Sequence, residues 1–267
     1  AELNFLAVLR GNNRVSSSDF LGNVKIRRFS AIKLGGESFM LWNFEKQALE
    51  FKPDIIIAHS YRHFHTTRAL KIKNKLNCKV FIVTHAPFER EESRNLIGNI
   101  SVKLYDYFIG ERILNKFDKI IAITKWELPY LSSLGVKKNK IAYIPNGIAQ
   151  EFFAKIKNKQ ENKVIYTGRI APIKNLETLI LAFKYLKDKK MELELFGPAE
   201  KPYLNKLINL IKENNLKNII ITNKNYNREE QIKKLDTVRI FVLPSKSEGM
   251  PQTLVEAMAR GKIVIAS

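Results

Sequence analysis

The sequence predicts an α/β fold built on parallel, doubly wound sheet, and three observations carry that expectation. Short, almost continuously apolar runs alternate with longer stretches of helical spacing, the pattern of strands buried on both faces by crossover helices. The alternation runs through both halves of the chain, with a polar, lysine-rich interruption between them, so two domains are expected. The last stretch, IFVLPSKSEGMPQTLVEAMARGKIVIAS, reads as strand, loop, helix and strand in one unit. The 267 residues, 45% of them hydrophobic, suffice to bury a substantial core.

Taken in order, strands are expected at residues 4–9 and 24–29, with a polar loop at 11–19 between them. Phe39, Trp42, Phe44 and Leu49 space a helix over 38–50. Pro53-Asp54 leads into a strand at 55–58, whose run IIIA implies burial on both faces. A basic helix at 66–76 and a strand at 80–83 follow. Residues 101–117 form a helix whose large side chains, among them Leu104, Tyr107, Phe108 and Leu114, suit a core. Its Lys103, Arg112 and Lys116 also suit an interfacial helix on lipid head groups. A strand at 119–123, a short helix at 126–134 closed by Gly135, and a strand at 141–144 ending in Pro145-Asn146-Gly147 complete a first domain, 1–151. Residues 152–162 are the expected linker. The second domain, 163–267, has strands at 164–166, 192–196, 219–221, 240–243 and 263–266. Its helices lie at 176–186, 204–213, 228–235 and 252–260, the last stopped by Gly261.

Composition narrows the class. The single cysteine, Cys78, excludes an internal disulfide and fits a reducing compartment. No apolar run reaches the length of a membrane span, and no signal peptide is visible. The net charge of +20 suggests an anionic partner: nucleic acid, lipid head groups or an anionic sugar nucleotide. Residues 1–150 carry 24 Lys+Arg against 13 Asp+Glu, and residues 151–267 carry 22 against 13. The excess is thus spread along helices and is not gathered in a tail. No aromatic RNP pattern accompanies it, which argues against nucleic acid.

Four groups of residues could carry chemistry. In GRIAPIKN, between a strand and a helix, Arg169 and Lys174 bracket a tight loop opened by Gly168; a planar fork and a point charge suit a diphosphate, or are a pair of surface cations. In the loop and helix of 245–260, backbone N–H groups from Gly249 and Met250 through Gln252 and Thr253 sit where phosphates bind at the carboxyl end of a sheet. Glu248 and Glu256 flank them as acceptors for sugar hydroxyls, or as solvated carboxylates. His59 and His85 each end a strand, and His63 and His65 follow in a loop. Those histidines lack helical i, i+4 spacing and a matching carboxylate, and no Asp-x-Asp string occurs, so no metal is expected. Glu89 and Arg90 open a mixed-charge loop after His85.

The string EGMPQTLVEAMARGKIVIAS resembles the E-x7-E segment of retaining glycosyltransferases of the GT-B fold, family 4, and GRIAPIK resembles the G-R-x4-K segment of the same family. THAPFER and IPNG resemble two further loops of that family, and the order of the motifs matches from about Lys25 to Ser267. The resemblance implies two Rossmann-like domains, with the nucleotide mostly on the second. It implies that Arg169 and Lys174 contact the donor diphosphate, that Glu248 and His85 lie by the donor sugar, and that Glu256 binds the ribose. His59, Glu89 and Arg90 are then candidates for the acceptor side. The implied reaction is transfer from a nucleotide-diphosphate sugar to a glycan or lipid acceptor, with retention and without a metal or other cofactor. The implied place is the cytoplasm, with peripheral contact to an anionic membrane. The family's first strand with its glycine-rich loop, and the closing part of its second domain, are not matched, so both domains are expected to be incomplete here. A sugar-nucleotide epimerase on the same fold, and a non-catalytic nucleotide-sugar or nucleic-acid binding module, are the rival readings.

Overall fold

In the computed structural model the described residues are 17–33, 40–88, 96–156, 160–186 and 190–267. The chain divides into two compact units, Ala1–Ile144 and Pro145–Ser267. The strand expected at 4–9 lies outside the described residues.

The first unit opens with two small antiparallel pairs. Strands β1 (Ser18–Leu21) and β2 (Val24–Arg27) form a hairpin, and β3 (Ile32–Lys33) pairs β4 (Met40–Leu41). This corrects one expectation: part of the expected loop at 11–19 is strand. The strand expected at 24–29 is present as β2, antiparallel to β1, and Gly22, at φ 56°, makes the tight turn that pairs them. The helix expected at 38–50 shortens to α1 (Glu45–Phe51). The Trp42 carbonyl accepts from the Arg68 guanidinium and its ring stacks on His65, which holds 42–44 out of the helix.

The parallel sheet then follows: β5 (Ile55–His59), α2 (Phe64–Leu76), β6 (Lys79–Val83), α3 (Leu96–Tyr105), a π turn (Asp106–Gly110), α4 (Glu111–Leu114), β7 (Lys119–Ala122), α5 (Glu127–Ser133) and β8 (Ile141–Tyr143). The strands lie in chain order, β5-β6-β7-β8. Val80, Ile82, Ile120 and Ala122 are fully buried, as their apolar runs require. On the segment 101–117, Leu114 and Phe117 enter the core, but Leu104, Tyr107 and Phe108 are exposed, against the expectation that core packing explains them.

The second unit holds β9 (Glu161–Thr167), α6 (Leu176–Tyr185), β10 (Leu193–Phe196), α7 (Lys201–Glu213), β11 (Ile219–Thr222), α8 (Arg228–Thr237), β12 (Val238–Leu243), α9 (Gln252–Ala259) and β13 (Ile263–Ala266). All its strands are parallel, in the order β11-β10-β9-β12-β13. The order reverses between β9 and β12. That is the topological switch point of a doubly wound sheet, where the outgoing loops part and leave a crevice. The core is one apolar cluster that includes Ile165, Ile180, Leu195, Leu207 and Phe241.

The expected boundaries, 1–151 and 163–267 with a linker at 152–162, also move. Phe152 is buried in the core of the second unit, and Arg260 donates to the carbonyls of Phe152 and Ala154. Burying an aromatic ring outweighs the polar composition that suggested a linker. Among the described residues no helix is long and apolar enough to cross a membrane.

Candidate functional site

The site is built on the two loops that leave the switch point. After β9 the backbone turns at Gly168, φ 143°, and the neighbouring loop after β10 turns at Gly197, φ 146°. A Cβ at Gly197 would stand 2.1 Å from the Gly168 carbonyl oxygen, so only glycine lets these loops touch backbone to backbone. The contact is extended by Ile170 N–H donating to the Pro198 carbonyl. The buried Tyr166 hydroxyl donates to the Arg169 carbonyl at 2.7 Å and fixes that peptide. The Arg169 side chain is exposed and pairs with Glu200 at 3.0 Å. A 3-10 turn, Pro172–Lys174, then leads through Asn175, at φ 51°, into α6.

The loop after β12 meets this one. Lys246 N–H donates to the Ile173 carbonyl at 3.0 Å, and Lys174 forms an ion pair with Glu248. Gly249, Met250 and Pro251 lead into α9, on which Gln252 donates to the Gly147 carbonyl at 2.7 Å. The Asn146 N–H points at the Met250 sulfur, 3.2 Å away, so the 145–147 turn packs on the same loop. Thr253 lies in the first turn of α9, and Glu256 one turn later is half-buried. Gln231, buried on α8, donates to one Glu256 oxygen at 2.6 Å. Burial raises the Glu256 carboxyl above its ordinary range. It also acts on Tyr226, stacked on Phe196 with centroids 4.7 Å apart; burial, then the nearby Glu256 charge, push that phenol up to about 12.

The structure thus brings Lys174 and Glu248 into contact at the switch point, with Arg169 on the same loop as Lys174 and Glu256 on the helix that follows Glu248. Two residues escaped sequence reasoning. Glu200 carries no spacing signal. Gln231 carries one, since it stands a turn before the buried Leu235 on the apolar face of α8.

In the first unit, His59 ends β5 and His85 lies two residues past the end of β6, the adjacent strand; their rings hydrogen-bond through His59 Nδ1 and His85 Nε2 at 2.8 Å. His85 and Ala86 both adopt left-handed backbone, φ 58° and 51°. His63 and His65 bond to the Tyr61 and His59 carbonyls at 3.0 and 2.9 Å. Glu89 and Arg90 lie outside the described residues.

Glu256→Gln is expected to raise stability while weakening binding. The unfolded chain releases the Glu256 proton near 4.5, whereas the folded chain holds it to a higher pH. Stability therefore falls as pH rises from 4.5 through the raised value. The variant has no such ionisation, so its melting temperature exceeds that of the parent at pH 7, and the gap closes below pH 4.5. With the ribose-binding role that the resemblance implies for Glu256, affinity for nucleoside diphosphates is expected to fall about tenfold as the charged acceptor is lost. Paired melting and titration series across pH check both halves.

Comparison with known proteins places the chain in a family and a fold. Residues 13–152 match the family Glycosyltransferase Family 4, and residues 148–267 match Glycosyl transferases group 1. The chain is 33% identical over 135 residues to the capsular polysaccharide biosynthesis glycosyltransferase CapH of Staphylococcus aureus, covering 49% of this chain and 37% of that one. Its fold is that of GT-B glycosyltransferases. It superposes on sucrose-phosphate synthase from Thermosynechococcus elongatus with a TM-score of 0.69 and 18% identity, covering 94% of this chain and 68% of the other. Anabaena Alr3699/HepE, solved in complex with UDP and glucose, gives a TM-score of 0.62 and 18% identity, covering 83% and 62%. The chain thus spans well under half of CapH and somewhat under two thirds of HepE. The first of the family matches takes in more than half of these residues, and the chain belongs to Glycosyltransferase Family 4.

Proposed function

We propose that the chain belongs to an enzyme that transfers a hexosyl group from a nucleoside-diphosphate sugar to a glycan or lipid acceptor, with retention at the anomeric carbon. The observation that carries this is the Lys174–Glu248 pair at the switch point, an anion-binding cation held against a hydroxyl-binding acid. HepE, which shares the fold, was solved with UDP and glucose bound, and that supports a nucleotide-sugar donor. CapH serves capsular polysaccharide biosynthesis by name, which supports a glycan acceptor.

In this reading Arg169, Lys174 and the N–H groups of Gly249 and Met250 take the diphosphate, and Glu256 takes the ribose hydroxyls. Glu248, displaced from Lys174, takes the donor sugar; in the first unit His85 is the proposed catalytic residue, with His59 on the acceptor side. The bond from the anomeric carbon to the diphosphate breaks, and the acceptor oxygen bonds to that carbon on the same face. Its proton passes to the leaving phosphate oxygen. Arg169 and Lys174 stabilise the growing charge, so transfer persists in the presence of a metal chelator. A panel of nucleoside-diphosphate sugars tests the reading. One of them is expected to raise the melting temperature well above that reached with the bare sugar, and to yield product with inverted anomers absent. A panel in which no nucleotide stabilises the chain would overturn it.

The acceptor end fits a membrane surface on the cytoplasmic side. Ile97, Ile100, Leu104, Tyr107 and Phe108 stand exposed at helical spacing along α3 and the π turn, with exposed Lys103 and Arg112 beside them. Sedimentation with phosphatidylcholine vesicles is expected to carry the chain down only when phosphatidylglycerol is added. Replacing Tyr107 and Phe108 with serine is expected to leave most of it in the supernatant.

A further inference from the structure

Glu127 is fully buried and, among the described residues, has no cation beside it. Its Oε1 accepts the N–H groups of Ile123 at 2.7 Å and Thr124 at 3.0 Å, and the Thr124 hydroxyl at 3.2 Å. Its Oε2 accepts the Ala86 N–H at 2.9 Å and the Thr84 hydroxyl. One carboxylate therefore joins the loop after β6 to the loop after β7. A buried charge is tolerated only where such donors surround it. A neutral side chain of similar size would not accept from both loops, so the charge has a specific task.

The task is visible in the backbone. His85 and Ala86 are consecutive non-glycine residues in left-handed conformation, which L side chains adopt only when the surroundings impose it. Thr84, on the near side, donates to Glu127 by its hydroxyl and to the Ile121 carbonyl by its N–H, at 3.2 Å. Ala86, on the far side, donates to Glu127 by its N–H. The bend that carries His85 is therefore pinned on both sides, and the pinned bend presents the imidazole to His59 at 2.8 Å.

We propose that Glu127 is a positioning residue for His85: the buried carboxylate holds the Thr84–Ala86 bend, and so fixes the direction of the His85 ring and its pairing with His59. The catalytic consequence rests on the reading of His85 given above; the positioning does not.

The test uses the 267-residue chain with 15N-labelled histidine. The ring-to-ring hydrogen bond gives a downfield imidazole N–H resonance, assigned by its loss in His59→Asn and in His85→Asn. Glu127→Gln is expected to abolish that resonance in a chain that keeps its helix content. Leu131→Ala, which opens the core on the same helix, is expected to lower the melting temperature but keep the resonance. A resonance retained in Glu127→Gln, or lost equally in Leu131→Ala, overturns the proposal. If Glu127→Gln does not fold, Thr84→Val removes one donor from the same oxygen. It is expected to weaken and broaden the resonance, and an unchanged line would count against the proposal. Turnover separates the two layers. Glu127→Gln is expected to lose as much kcat as His85→Ala with nucleoside-diphosphate affinity unchanged. Full turnover in His85→Ala removes the role given to His85 and leaves the positioning to be judged by the resonance alone.

Discussion

Arg169→Ala is expected to lower kcat by about 10²-fold or more, with a much smaller change in donor affinity. The side chain is exposed, and its partner Glu200 is exposed as well, so the pair between them contributes little to folding. The variant should therefore fold as the parent does. The exposed guanidinium can leave Glu200 at small expense and turn to a diphosphate. In the proposed reaction its attraction grows as the bond to the sugar breaks and charge collects on the leaving oxygens, which is where a planar fork of donors is most effective. Steady-state kinetics with the donor found by the nucleotide panel, beside a titration of the same donor, give the two numbers. Parental turnover in the variant would remove Arg169 from the proposed machinery. A fall in affinity as large as the fall in kcat would assign it to uniform binding instead.

Arg260→Ala is expected to destabilise the second unit by about 3–5 kcal/mol. Arg260 closes α9 and is buried, with its side chain 2% exposed. Its Nε donates to Asp236 at 2.8 Å and Nη2 donates to the same oxygen; Nη1 reaches the carbonyls of Phe152 and Ala154. Alanine leaves Asp236 as a half-sequestered charge without its partner and strands two carbonyls, a combination that exceeds the loss of a surface ion pair. Urea unfolding should show a lower midpoint with an unchanged slope. A loss below about 1 kcal/mol would mean that water replaces the guanidinium, and the clamp would have to be given up. The segment released first should be 150–156, which protease susceptibility would report.

Much of this fold could be read from hydrophobic pattern. The parallel strands fall within a residue or two of expectation, except β9, which starts three residues early, because they stand out as apolar runs. The burial on both faces expected for 55–58 does not hold, since Ile55 and Ile57 on β5, an edge strand among the described residues, are exposed. Of the short antiparallel strands, β1, β3 and β4 could not be read that way; Phe20, Leu21 and Ile32 on them are exposed, so periodicity carries no information about which face they use. Residues 38–50 failed for the opposite reason. Their spacing is helical, but Arg68 and His65, distant in sequence, take the Trp42 carbonyl and ring. The linker was misplaced because composition counts lysines and overlooks what one buried phenylalanine gains.

The candidate site divides in the same manner. Arg169, Lys174 and Glu248 lie on loops at the carboxyl end of the sheet and Glu256 on the helix that follows, and the family motifs that contain them let them be named in advance. Gln231, Glu200 and Glu127 act through partners that only folding supplies. The exposed stripe on α3 was misjudged because a large apolar residue has the same letter on either face of a helix.

Lys174, finally, does not wait as a bare charge. Since Glu248 already balances it, stray inorganic phosphate gains little by docking there: it would satisfy the amine but leave the acid facing another anion. A guest that brings a phosphate to one partner and an alcohol to the other answers both at once. Under the proposed function, selectivity for a sugar conjugate over simple anions then arises from a self-neutralised pair that opens only to a visitor with both chemistries.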